Sequence, residues 1–419
     1  MIDDLVCPAV CGVDSVLVNA YINAKKNVKK LQFGVKKCHQ LHIGKANDMC
    51  PTLKVDNWEL HKVDEVKTGV ENLEDVLIGS HDLEKVDKEK YLGDIISVDG
   101  RNRKNINSRK GKAVGIINQI TSILQDICFG PFHMEVALML RNSLFINSIL
   151  VNSEAWYGLT DEEIVELEKE DEHLLRKFLE CPSKTPKCVL YLETGCKPLR
   201  FHVMARRMMF LHYILKEDDK SLIKRFFNVQ ARNPGKNDWV LKVDEDLDFL
   251  EIQLYFDQIE MCTEAQFKRL VDKSVDEKCL EYLIAEKKKK KKVMHINYKK
   301  LEIQRYLLPS LMSMTQAKHI FMLRARMLDT KDNYPNKHQN DHCPICDNGV
   351  TKDSQEHVMF CQIDSNQTIV NTEVEYSNLF SNDIKKQLQI SSIISENFSK
   401  RKDKLRKAEE LKKKSRKRR

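Results

Sequence analysis

KYLGDIISVDGRNRKNINSRKGKAVGIINQITSILQDI, residues 90–127, changes its period partway along. Up to residue 100 it reads as a strand entering a turn, with Gly93 inside the strand and Gly100 ending it. From 105 onward Val114, Ile117, Ile120, Leu124 and Ile127 recur every three or four positions, the spacing of a helix with one apolar face. Strands are therefore expected mainly before this stretch and helices after it, an α+β chain that is predominantly α-helical.

The helical signals continue downstream. Residues 132–151 form a second apolar-periodic segment with Pro131 at its start. Thr160 and Glu163 have the spacing of a capping box, and the helix they open runs to about Leu179. Pro198 opens LRFHVMARRMMFLHYIL, Thr263 and Gln266 open a helix ending near Lys287, and residues 311–328 give a further one. The six lysines 287–292 read as a solvated helix end or loop. Upstream, residues 14–31 read as an amphipathic helix capped by Asp14. Gly34 marks a turn, Cys38 to Gly44 a short strand, and residues 50–90 irregular strands and turns. No internal repeat is present.

Composition narrows the class. The chain has 419 residues, enough for two or three domains, with only 14 Gly and 10 Pro. SLFINSILV at 143–151 is among the longest apolar runs and is too short for a bilayer, so no membrane partner is expected. Asp3 and Asp4 stand where a signal peptide would carry Lys or Arg, so the chain reads as intracellular, nuclear or cytoplasmic, and not secreted. Its 13 cysteines are mostly scattered, which favours reduced thiols over a disulfide framework. Residues 400–419 hold 13 Lys and Arg against 3 Asp and Glu, leaving 57 basic and 59 acidic residues elsewhere. The net charge of +8 is a property of the tail. That tail suits nuclear import or non-specific nucleic-acid binding, or it is simply a solvated terminus.

Cys343, Cys346, His357 and Cys361 follow the order C-x2-C-x10-H-x3-C. A C-x-x-C turn lets two thiolates face one ion, and a His and Cys four apart on a helix share a face. Four ligands leave no open position, so the expected cofactor is structural Zn²⁺. Gly349 would turn the chain between the halves, and His338 and His342 are nearby alternative ligands. Such a knuckle suits RNA or DNA. Arg200, Arg206 and Arg207 on one helix, and Arg324 and Arg326 on another, are candidate phosphate contacts. The competing reading is exposed helix faces. Trp156, with Tyr157, reads as a core plug.

Asp3 and Asp4 follow Ile2 at the front of the chain. Adjacent carboxylates are hard-oxygen ligands for Mg²⁺ in two-metal nucleotidyl transfer. Alone, such a pair is usually a solvated turn. In order, however, the chain carries IDDL, a helix, LQFGVKKC, KYLGDIIS, several helices and a CCHC cluster. This series resembles the reverse transcriptases of non-LTR (LINE-type) retrotransposons, from the end of the palm through the thumb to the zinc knuckle. The resemblance implies that Asp3 and Asp4 are the catalytic pair, with Asp3 a Mg²⁺ ligand once the site is completed. It implies that Lys37 protonates pyrophosphate and that Tyr91, Leu92 and Gly93 form the primer grip. It also implies RNA and DNA partners, most naturally an RNA–DNA hybrid.

The corresponding organisation is a truncated palm at 1–75, a primer-grip hairpin and helical thumb at 76–232, and a helical connector at 233–338. The CCHC knuckle follows at 339–365, then a C-terminal helix and basic tail at 366–419. The family's fingers and first palm aspartate have no counterpart after Met1. RNA-directed DNA polymerase activity is therefore expected only with an upstream segment supplied in cis or in trans. The alternative is a non-catalytic RNA- or DNA-binding remnant using thumb, knuckle and tail.

Overall fold

A computed structural model describes residues 39–40, 54–63, 72–82, 84–91, 93–127, 134–156, 158–235, 238–308, 312–337, 341–346, 351–361, 379–380 and 383–417. Within this set the protein is predominantly helical. Asp3, Asp4, Lys37, Leu92, Tyr157, His338 and Gly349 lie outside the described residues, as do the helix expected at 14–31 and Pro131. Two compact units divide the chain, one reaching Arg109 and including Trp156–Glu163, the other holding Lys110–Ala155 and everything from Ile164.

In the first unit β1 (His39–Gln40) pairs in parallel with β4 (Glu84–Lys85). The irregular stretch expected at 50–90 contains a long antiparallel hairpin instead, β2 (Lys54–Val63) with β3 (Asn72–Asp82). A register shift between Asn57 and Trp58 breaks the pairing, and with it the simple alternation that marks a strand in sequence. β5 (Lys88–Tyr91) and β6 (Asp94–Ser97) form a short hairpin, so Gly93 lies in a turn between two strands and not inside one strand. Tyr91 lies opposite Asp94, and Gly93 takes φ +92°, which permits the reversal. Helix α1 (Arg103–Ile127) follows directly. Its first turns tie back to β6, with Asn105 Nδ2 and Arg109 Nη2 both donating to Asp94 Oδ1, at 2.8 and 2.6 Å. Ile117 and Ile120 are buried as expected, but Val114 is exposed, and Ala113 and Ile106 take the inner positions. Trp156 is buried, with the Arg109 guanidinium over its ring.

The second unit is helical among its described residues. Helix α2 (Met134–Leu140) widens into a π-turn at Arg141–Ile146 and finishes as a single α-turn at Asn147–Ile149. Helix α3 (Asp161–Leu179) starts at the expected box: Thr160 Oγ1 accepts from the Glu163 amide, and a Glu163 carboxylate oxygen accepts from the Thr160 amide. Helices α4 (Lys187–Thr194), α5 (Leu199–Lys216), α6 (Leu222–Arg232), α7 (Trp239–Phe249), α8 (Phe256–Met261) and α9 (Glu264–Lys288) follow. α5 packs on α9, which buries Phe267, Val271, Val275, Cys279 and Leu283 at a constant spacing of four. Lys287 is next on that stripe. It is buried rather than solvated, and its ammonium donates to the carbonyls of Met294 and Ile296. Those bonds satisfy the amine while its stem completes the apolar face.

Gly195 ends α4 at φ +67°, and a Cβ there would lie 2.5 Å from the backbone of Glu302 and Ile303. Gly195→Ala is expected to lower stability by about 1–2 kcal/mol for the left-handed backbone. Overpacking adds about 1–3 kcal/mol more. A urea unfolding midpoint would show it.

Helix α10 (Met314–Arg324) is capped by Ser313 and Gln316, α11 (Gln355–Phe360) by Ser354. The chain closes in the long helix α12 (Ile384–Lys417), packed on α10 and α11. No helix among the described residues is long and apolar enough to cross a membrane.

Candidate metal centre

Two local structures bring the four expected ligands together. The segment before the first cysteine pairs with residues 351–353: the Cys343 amide donates to Thr351 O at 2.8 Å and the Asp353 amide to Asp341 O at 2.9 Å. α11 then starts at Ser354, whose hydroxyl accepts from the His357 amide at 3.2 Å. One helical turn separates His357 from Cys361, so both face the C-x-x-C loop.

The four ligand atoms lie within 4.8 Å of one another. Cys346 Sγ is 3.0 Å from His357 Nε2 and 3.1 Å from Cys361 Sγ, and Cys343 Sγ is 3.9 Å from Cys361 Sγ. Sulfurs bound tetrahedrally at Zn–S distances of about 2.3 Å stand about 3.7 Å apart. Two of these separations are shorter than that, and the four donors converge on one point with the ligand types of a tetrahedral, soft-ligand site. His342, the described alternative, is exposed and stands outside this group. The Ile345 amide points at Cys343 Sγ, 3.4 Å away, as a donor that would stabilise a thiolate.

The thiols of the set influence one another's ionisation. A hydrogen bond from Cys361 holds the Cys343 thiol below its ordinary range. The same bond pushes the Cys361 thiol well up, and burial raises Cys346. Three adjacent sulfurs cannot all lose their protons unless a positive ion shares the charge. A bound ion would supply that charge and deprotonate the remaining thiols.

The arginines named from sequence have protein partners. Arg200 is held by Glu168 at 2.8 Å and lies over the Tyr282 ring. Arg206 donates to Leu150 O and to Asn147 Oδ1. Arg207 is 1% exposed and paired with Asp246. Arg324 is 2% exposed, with its Nε donating to Glu193 Oε1 at 3.2 Å, and Arg326 pairs with Glu356 beside His357. At Arg207 and Arg324 the charge faces the interior of the protein. Tyr91 and Gly93 sit on the β5–β6 hairpin, and both are half-buried.

Several residues around the centre carry no signal in a motif search. Arg401 is 1% exposed and grips Asp353 with both guanidinium arms, at 2.5 and 2.7 Å. Asn397 Nδ2 donates to Val358 O and Lys404 Nζ to Ile345 O. A heptad-like stripe through Gln387, Ile390, Ile394, Asn397 and Arg401 was the available clue.

Elsewhere the second unit contains a group that titrates. Burial, then the nearby charges of Arg141, Lys197 and Arg206, lowers His202 to about 3, and its Nε2 is closed off without a hydrogen-bond partner. An unfolded histidine titrates near 6.5. The unfolded chain therefore binds the extra proton between these values, and the stability this neutral ring provides above about 6.5 is lost as pH falls toward 3. Going from pH 6.5 to 4.5 should cost the wild type about 2–3 kcal/mol more than His202→Gln, read as the difference between their urea midpoints. Parallel pH profiles would refute it.

No family model, no curated protein and no solved structure matches this chain.

Proposed function

We propose that this chain binds nucleic acid through a zinc-knuckle-bearing C-terminal half, and that it is the C-terminal portion of a non-LTR retrotransposon reverse transcriptase. The observation that carries the reading is the convergence of Cys343, Cys346, His357 and Cys361 on one point. Support comes from the order of parts around it: a short hairpin at 88–97, a run of helices, the metal centre, then a cationic helix. In this reading Zn²⁺ is structural, and the preferred partner is an RNA–DNA hybrid, contacted through its phosphates and shape. Asp3, Asp4 and Lys37 would serve polymerisation with Mg²⁺ only alongside a segment bearing the remaining metal-binding aspartate.

The test is fluorescence anisotropy of a labelled RNA–DNA hybrid with the zinc-loaded chain across a salt series. Primer extension with Mg²⁺ and deoxynucleotides runs alongside it. Binding that weakens steeply with salt is expected. Extension that appears only with an added palm segment, and disappears in Asp3→Ala without loss of binding, would place the chain in a polymerase. Failure to bind any hybrid, duplex or single strand at low salt would overturn the proposal.

A further inference from the structure

The metal centre and the cationic helix are one mechanical piece. The inner stripe of α12 buries Gln387, Ile390, Ser391, Ile394, Asn397 and Arg401. Its last three anchors are polar and fall at positions i, i+4 and i+7: Asn397, Arg401 and Lys404. Each reaches the metal-binding segment. Asn397 holds the carbonyl of Val358, which follows His357, at 2.9 Å. Arg401 holds Asp353, at the start of the second ligand pair, and also the Asp329 carbonyl at 2.9 Å. Lys404 holds the carbonyl of Ile345, which lies between Cys343 and Cys346, at 2.7 Å. A bound ion would fix those backbone positions, and through them the helix.

The exposed positions beyond this stripe are different. Lys402, Arg406 and Lys407 are exposed, and the helix runs on to Lys417. Arg406 has one exposed pairing, with Asp403 at 3.3 Å, and the Lys402 ammonium sits over the Phe398 ring. A segment this basic repels itself and does not hold a helix unaided. Its order has to come from the anchored stripe.

We propose that the metal centre is a splint for α12, and that the outer face of the helix, at Lys402, Arg406 and Lys407, docks the phosphate backbone of a nucleic acid. The metal then governs affinity by presenting the helix, not by placing the knuckle against bases. This rests on the nucleic-acid reading above.

The experiment uses the full chain and a labelled RNA–DNA hybrid. The variant Lys402→Gln/Arg406→Gln/Lys407→Gln leaves every ligand and anchor in place. Metal content, amide exchange over 387–411 and hybrid affinity against salt are measured before and after chelation. The triple variant should keep its metal and its α12 protection, while its log–log salt slope becomes shallower by about 2–3. Chelation should remove the protection of α12 from about Asn397 onward in both chains. It should cost the wild type about ten-fold or more in affinity and the triple variant less than about two-fold. Equal losses on chelation would mean that the knuckle contacts the hybrid itself, and would overturn the splint as the route to affinity. So would protection beyond Asn397 that survives chelation. A wild type that loads metal and protects α12 but binds no nucleic acid would instead overturn the reading beneath, and the docking face with it.

Discussion

A Cys361→Ser chain is expected to retain no metal, against about one ion per wild-type chain, when metal content is measured after gel filtration. The effect is large because the ligand set is the local core. Cys343, Ile345 and Cys361 form its buried cluster, with Cys346 packed against them. Structural Zn²⁺ in small knuckles contributes an apparent binding free energy of about 10–16 kcal/mol, and most of this is folding energy. Serine is near in size but is a poor soft ligand at neutral pH, so packing alone does not replace the ion. Exchange protection around 341–361 should fall while the α5–α9 pair keeps its own. A Cys361→Ser chain that still carried stoichiometric metal would mean a different ligand set.

The second large effect is at Arg324→Met, expected to destabilise the helical unit by about 3–5 kcal/mol. Glu193 is fully buried on α4 and accepts from three side chains: Arg324 Nε at 3.2 Å, Tyr298 OH at 2.6 Å and Tyr306 OH at 2.8 Å. Arg324 also donates to Leu379 O at 3.0 Å and sits over the rings of Tyr306 and Phe380. Burial drives the Tyr306 phenol well above its ordinary value, so it remains a donor at any working pH. Methionine fills the volume but leaves a buried carboxylate without its counter-charge. Glu193→Gln/Arg324→Met should cost less than the two single changes combined, since the double variant removes both charges. Additive urea midpoints would show that the charges do not interact.

Much of this arrangement was legible, and the illegible parts share a cause. The boxes at Thr160–Glu163 and Thr263–Gln266 could be read because a cap is a contact between residues three apart. The box at Ser313–Gln316 has the same form inside a segment already read as helix. The ligand set was legible because metal geometry imposes spacing on sequence. Arg207, Arg324, Lys287 and Arg401 were not, since a charged side chain reads as surface until its partner is known. For the arginines those partners are remote in sequence: Glu193 lies 131 residues from Arg324, and Asp353 lies 48 from Arg401. The tail followed the same pattern, its composition suggesting a loose terminus and its buried stripe giving a docked helix.

The π-turn at Arg141–Ile146 keeps time for its helix. Ala137, Arg141, Phe145 and Ile149 are all buried and stand four apart. A four-residue beat drifts by about 40° per step around an α-helix, which turns once every 3.6 residues; the stripe of α9 winds in this way, whereas here the drift would turn Ile149 away from the line of Ala137. One wider turn absorbs the accumulated phase, much as a leap day corrects a calendar. Arg141, first in that turn, thereby meets Asp171 with two bonds of 2.6 Å while Ile149 still points inward. Excising a single residue from 141–146 would return the segment to ordinary α-helix and rotate one end of the stripe against the other. Length, and not only composition, is therefore under constraint at this point in the chain.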